Sequence, residues 1–113
     1  MADLPQRVTR DIELDILLAQ PKAVGRVEVR RIRMPAGTPA GAHVHNGPVF
    51  GTIVHGRVLY QLDGEEQQVL APGDAFYEPE GATVVHFDSL DQDVEFIGVF
   101  PLEPNQDAAM VFV

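Results

Sequence analysis

Apolar residues along this chain recur mostly at every second position, in short runs broken by Gly, Pro and Asp, the pattern of half-buried strands joined by tight turns. The clearest unit is the pair Val58 to Leu62 and Gln67 to Leu70 around Asp63-Gly64-Glu65-Glu66, because an Asp-Gly step between two apolar runs predicts a hairpin. Further strands are expected from Ala42 onward, over Phe50 to His55, Ala75 to Glu78, Val84 to Phe87 and Val94 to Phe100. Val27 and Val29 alternate with charged residues, then the phase slips so that Ile32 and Met34 continue the apolar face, and a β-bulge at Arg30-Arg31 accounts for the slip. Ile12, Leu14, Ile16 and Leu18 keep period two, while Val8, Ile12 and Ile16 also suit one helix face, and Val8 to Leu18 reads as strand or extended arm. The tail ends in Met110 to Val113, apolar enough to pair with a sheet edge. About eight or nine short strands predict an all-β sandwich or barrel, closed so as to leave no exposed edge.

A chain of 113 residues with 45% hydrophobic content fits one domain over 1–113. It divides into N-terminal strands or arm (1–33), a barrel core (34–100) and a C-terminal strand or tail (101–113). No apolar run approaches the roughly 18 residues of a membrane helix, and Met1 to Arg7 lacks the basic and apolar regions of a signal peptide, so the expectation is a cytoplasmic protein without a membrane partner. The absence of cysteine excludes disulfides, thiolate metal sites and a cysteine nucleophile. A net charge of −9 argues against a nucleic-acid partner. Residues 1–33 hold seven of the eight basic side chains against five acids, whereas residues 34–113 hold only Arg57 against twelve. Two readings stay open: solvated faces, or a basic head lying across the acidic surface of a second subunit in a homodimer.

His43 and His45 stand two apart in a strand-like segment, so both imidazoles face one side and Val44 the other. Two imidazoles on one face are half of a site for a borderline transition metal. The same spacing also serves surface or hydrogen-bonded core histidines. His55, beside Gly56, is expected at an exposed turn. Gly51, within a strand, either makes room for a ligand or marks a bulge.

Gly37, His43, His45 and Gly56, followed by Gly73-Asp74, Pro79 and Gly81, stand at the spacings of the two signature motifs of the cupin superfamily, which residues 37 to about 88 resemble. The resemblance implies an all-β, single-domain jelly-roll barrel, the double-stranded β-helix. It also implies one divalent transition metal (Fe, Mn, Ni, Cu or Zn, with Fe favoured) and a small-molecule substrate or ligand. The family's glutamate ligand falls at Val49 and its third histidine at Val84, neither of which coordinates a metal. His86, two residues beyond Val84 and on the same face of an unbroken strand, takes the third place and completes a neutral set of His43, His45 and His86. If His86 points elsewhere, Tyr60, Gln61, Tyr77 or Glu78 completes the shell. Phe50, Tyr60, Gln61, Phe76 and Tyr77 come from strands expected to line or cap the pocket, which suits a partly apolar substrate. The implied activity is that of a metal-dependent enzyme of dioxygenase type with three histidines. The alternatives are a non-catalytic binding or sensor module and a cupin isomerase or lyase.

Overall fold

The computed structural model describes residues 7–113. Among them are nine strands: β1 (Arg26–Met34), β2 (His43–His45), β3 (Val49–His55), β4 (Val58–Leu62), β5 (Gln68–Leu70), β6 (Ala75–Glu78), β7 (Thr83–Ser89), β8 (Val94–Leu102) and β9 (Met110–Phe112). They form two antiparallel sheets, ordered β1-β8-β3-β6 and β5-β4-β7-β2-β9, which face one another as a jelly roll. The Asp63-Gly64 hairpin forms between β4 and β5, with Tyr60 opposite Gln68 and Gly64 at φ 84°. Gly56 is confined more tightly. Its φ is 78°, and a Cβ there would stand 2.3 Å from the Asp93 carbonyl oxygen, so only glycine turns the chain between β3 and β4.

The core lies between the sheets, where Ile53, Val58, Tyr60, Phe76, Val84, Phe87 and Val94 pack together. A smaller apolar group, Val49, Phe100 and Leu102, sits towards the other end. Gly51 faces this interior opposite Phe76 and Gly98. A Cβ on Gly51 would come within 2.2 Å of the Phe76 ring, so the glycine accommodates that ring and not a ligand.

β1 runs beside β8 in unbroken register from Arg26 opposite Leu102 to Met34 opposite Val94, and the bulge expected at Arg30-Arg31 is absent. The strand takes its phase from Ile32 and Met34, which reach the interior, and an unbroken ladder also keeps Arg26 and Arg30 on either side of Glu28. Val27 and Val29 are consequently turned outward, 53% and 65% exposed. Bulges occur instead in β3 between Ile53 and His55 and across β4 and β7 between Gln61 and Leu62. Residues 8–24 carry no strand and form an extended arm, secured where Lys22 Nζ donates to Gln106 Oε1 at 3.2 Å. Of the segment expected to lack signal-peptide character, Met1 to Gln6 lie outside the described residues.

Much of the basic head is neutralised within the chain. Glu28 accepts from Arg26 at 2.7 Å and Arg30 at 2.5 Å, Glu95 accepts from Arg31 at 2.5 Å and Arg33 at 3.0 Å, and Lys22 lies 3.9 Å from Glu80. Hydrogen bonds from these arginines hold the Glu28 and Glu95 carboxyls below the usual carboxylate range. Among the described residues no helix is long and apolar enough to cross a membrane.

Candidate metal centre

β2 is three residues long and lies between β7 and β9, and its alternation turns His43 and His45 inward together. Their rings meet edge to face, with centroids 4.9 Å apart. His43 is 5% exposed, and its Nδ1 lies 2.7 Å from the Gly41 carbonyl oxygen. A carbonyl can only accept, so Nδ1 carries the proton and Nε2 is left with its lone pair, the arrangement by which a backbone carbonyl orients a ligating imidazole.

A third donor comes from β6. Phe76 and Glu78 share the inner face of that strand, with Ala75 and Tyr77 less buried. Glu78 is only 3% exposed, and its Oε1 lies 2.9 Å from His45 Nε2. The Glu78 carboxylate and one nitrogen of each histidine all lie within 4.8 Å of one another. Donors sharing an ion at about 2.0–2.2 Å stand at most about 4.4 Å apart, so shifts of a few tenths of an ångström close the group on a metal. Two imidazoles and a carboxylate suit Fe, Mn, Ni, Cu or Zn, and a buried carboxylate calls for such a partner. The residues present therefore fit the expected ion, through a set that includes Glu78.

Glu78 is the cross-strand partner of Val49 in the β3–β6 ladder. The carboxylate expected at position 49 is supplied from directly across the ladder, where opposite Cβ atoms are about 4.5–5.5 Å apart. Sequence reasoning held Glu78 only in reserve. The available signal was its period-two relation to Phe76, which puts a glutamate on the apolar face of a strand.

The structure does not bring His86 to this group. The bulge across β4 and β7 pairs His86 with Gln61 but Val84 with Leu62, and this breaks the alternation between positions 84 and 86. Val84 and Phe87 are buried, whereas the His86 side chain is 35% exposed and its Nδ1 lies 2.8 Å from Asp88 Oδ2. Of the five residues expected around the pocket, Phe76 lines it. Tyr60 is packed in the core, where its hydroxyl donates to the Tyr77 carbonyl at 3.2 Å, and Gln61 Nε2 donates to the Glu65 carbonyl. Phe50 and Tyr77 stack on each other, centroids 5.1 Å apart, on the opposite face of their strands, where Tyr77 borders an outer groove with Leu18, Pro21 and Lys22. His55 is exposed at the end of β3 as expected, with Nδ1 donating to the Asp93 carbonyl.

The group opens into a cavity of about 470 Å³ walled by Val49, Phe76, Phe87, Phe96 and Phe100, with Arg30 at its rim and Met110 beside it. Burial, reinforced by the nearby Glu78 carboxylate, pushes the Tyr60 phenol above its ordinary range, so it stays protonated.

Fold and site together define a small jelly-roll protein with an internal His-His-Glu cluster. The chain belongs to the cupins, matching the cupin domain over residues 30–97. Solved structures similar to it include the DMSP lyase DddQ from Ruegeria pomeroyi (21% identity, 77% of this chain and 43% of that one, TM-score 0.67). They also include KdgF from Halomonas sp. (25% identity, 70% and 71%, TM-score 0.62). A third is a cupin-like protein from Thermotoga maritima (20% identity, 87% and 74%, TM-score 0.66). The chain spans less than half the length of the lyase. No curated protein matches it.

Proposed function

We propose that His43, His45 and Glu78 hold one divalent first-row transition metal and that the protein is a metal-dependent enzyme acting on a small molecule in the adjoining apolar cavity. The observation that carries this reading is the convergence of three donors, His43 and Glu78 buried and His45 half-buried, within 4.8 Å of one another in the wall of that cavity. Two histidines and one carboxylate with open positions are the ligand set of non-haem iron(II) oxygenases, so Fe remains the favoured metal and oxygenase chemistry the leading reaction. A bound divalent ion would supply Lewis acidity to a substrate oxygen. The chain's own contributions are separate. Gly41 fixes the His43 tautomer. Glu78 places one negative charge beside the imidazoles, in contrast to the neutral set expected with His86. Phe76, Phe87, Phe96 and Phe100 exclude water, which strengthens every charge interaction inside.

Metal analysis of purified protein, as isolated and after reloading, tests the reading. Close to one ion per chain is expected. His43→Ala, His45→Ala or Glu78→Ala should weaken binding by at least the 10–100-fold that loss of a mere supporting partner costs. Wild-type protein that retains none of Fe, Mn, Ni, Cu or Zn overturns it. An oxygen electrode then separates oxygenase chemistry from a lyase or isomerase reaction, neither of which consumes O2. The homodimer stays within the proposal on the exposed Val27 and Val29 of edge strand β1, and a monomer in light scattering at every salt concentration refutes it.

A further inference from the structure

β1 presents its two faces in an unusual sense. Its valines, Val27 and Val29, face outward, while Arg30 shares the inner face with Ile32 and Met34 and reaches the rim of the apolar cavity. Burying Ile32 and Met34 in an unbroken ladder sets this phase, and it brings a guanidinium to an otherwise apolar wall at the expense of the two valines. The guanidinium is also held in a definite pose. Its carbon lies 5.0 Å from the centre of the Phe100 ring, and that ring lies 6.3 Å from the His45 ring, so a single phenyl group separates the arginine from the metal-ligand cluster. Nε and Nη2 of Arg30 both donate to one oxygen, Glu28 Oε1, at 2.9 and 2.5 Å, which leaves Nη1 available to a ligand. Glu28 is shared with Arg26, whose Nη1 donates to Oε2 while its Nη2 lies 3.7 Å from Asp107 Oδ1, so two guanidinium groups flank one carboxylate and Arg30 has only a share of Glu28 as its counter-charge. A planar cation over an aromatic wall, only partly neutralised, is a receptor for a carboxylate.

We propose that Arg30 is the carboxylate-recognition residue of this cavity and that the ligand is a carboxylic acid with an apolar body, its carboxylate on Arg30 and its far end at the His43, His45 and Glu78 group. The far end rests on the metal reading above, whereas the Arg30 contact does not. In the free protein Glu28 occupies part of the guanidinium, and an incoming carboxylate competes with it.

Calorimetric titration of zinc-reloaded, full-length protein tests this with glutarate, adipate and suberate, each against the monocarboxylate of the same chain length. At least one dicarboxylate should bind about 10-fold tighter than its monocarboxylate, the worth of one charge-assisted contact. Arg30→Gln should abolish that advantage and leave metal content unchanged. Glu28→Gln, which removes the internal competitor, should raise dicarboxylate affinity, an opposite effect that misfolding does not produce. No dicarboxylate advantage in the wild type, or one that survives Arg30→Gln, overturns the proposal. If the protein takes up no zinc, the metal reading fails by itself. The arginine is then tested by hexanoate against hexanamide, where a similar preference lost in Arg30→Gln is expected and its absence overturns the inference.

Discussion

On β3, Val49 stands at the position of the cupin glutamate, and on β7, Val84 stands at that of the histidine; the two ladders deal with these changes differently. Across the β3–β6 ladder, Val49 is paired with Glu78 in unbroken register, and the carboxylate returns to nearly the same place from the neighbouring strand. Along β7, His86 lies two residues from Val84, but a bulge falls between them and the imidazole turns out to Asp88. A ligand can thus change strands with little change of place when the two residues are cross-strand partners. Within one strand it keeps its face over two residues only while the ladder is regular.

The largest effect that tests this contrast comes from exchanging the ladder partners. Glu78→Val should lose metal, and the double variant Val49→Glu with Glu78→Val should recover affinity to within about 10-fold of wild type, as expected if the carboxylate's place and not its strand is what the site requires. A double variant no better than Glu78→Val, measured by metal competition, breaks the comparison. Next is Gly51→Ala, beside the same pair. The added methyl collides with the Phe76 ring and with the Ile97 carbonyl oxygen at 2.7 Å, and should cost about 1–3 kcal/mol in urea unfolding. Because Phe76 and Glu78 share β6, metal affinity should fall with it. His86→Ala should leave metal content unchanged and cost less than about 1 kcal/mol, since its partnership with Asp88 is partly solvated. Loss of metal in that variant would restore His86 to the site.

The smallest effect is electrostatic and belongs to the β1–β8 ladder. Arg31 and Arg33 depress the Glu95 carboxyl in the folded state, so their stabilisation is present above the ordinary carboxylate range and disappears as pH falls through the lowered folded value. The difference in urea midpoint between wild type and Glu95→Gln should therefore be largest near neutral pH and close below about pH 4. A gap independent of pH would show that Glu95 acts through packing.

Period-two alternation was sufficient to read the β4–β5 hairpin, most of the strands and the shared face of His43 and His45, because these depend on residues close in the chain. The glycine and proline spacing identified the cupin frame for the same reason. Alternation misled at Arg30-Arg31, where the apolar phase slip indicated a bulge but the strand remained regular and turned its valines outward. It failed again at His86, where the bulge that matters leaves no mark in the apolar pattern. Phe50 and Tyr77 are expected at the cavity because their strands line it, but their parity within those strands puts them on the outer surface.

By itself, then, the sequence determined which residues share a strand face, where the chain turns, and that two imidazoles project side by side. Which strand lies opposite which, and in what register, was decided only by the tertiary structure, because pairing joins residues far apart in the chain. For this reason Glu78, 33 positions from His45, emerged as the third donor, and Arg30 as the cation at the cavity rim, only once β6 and β1 had taken their places.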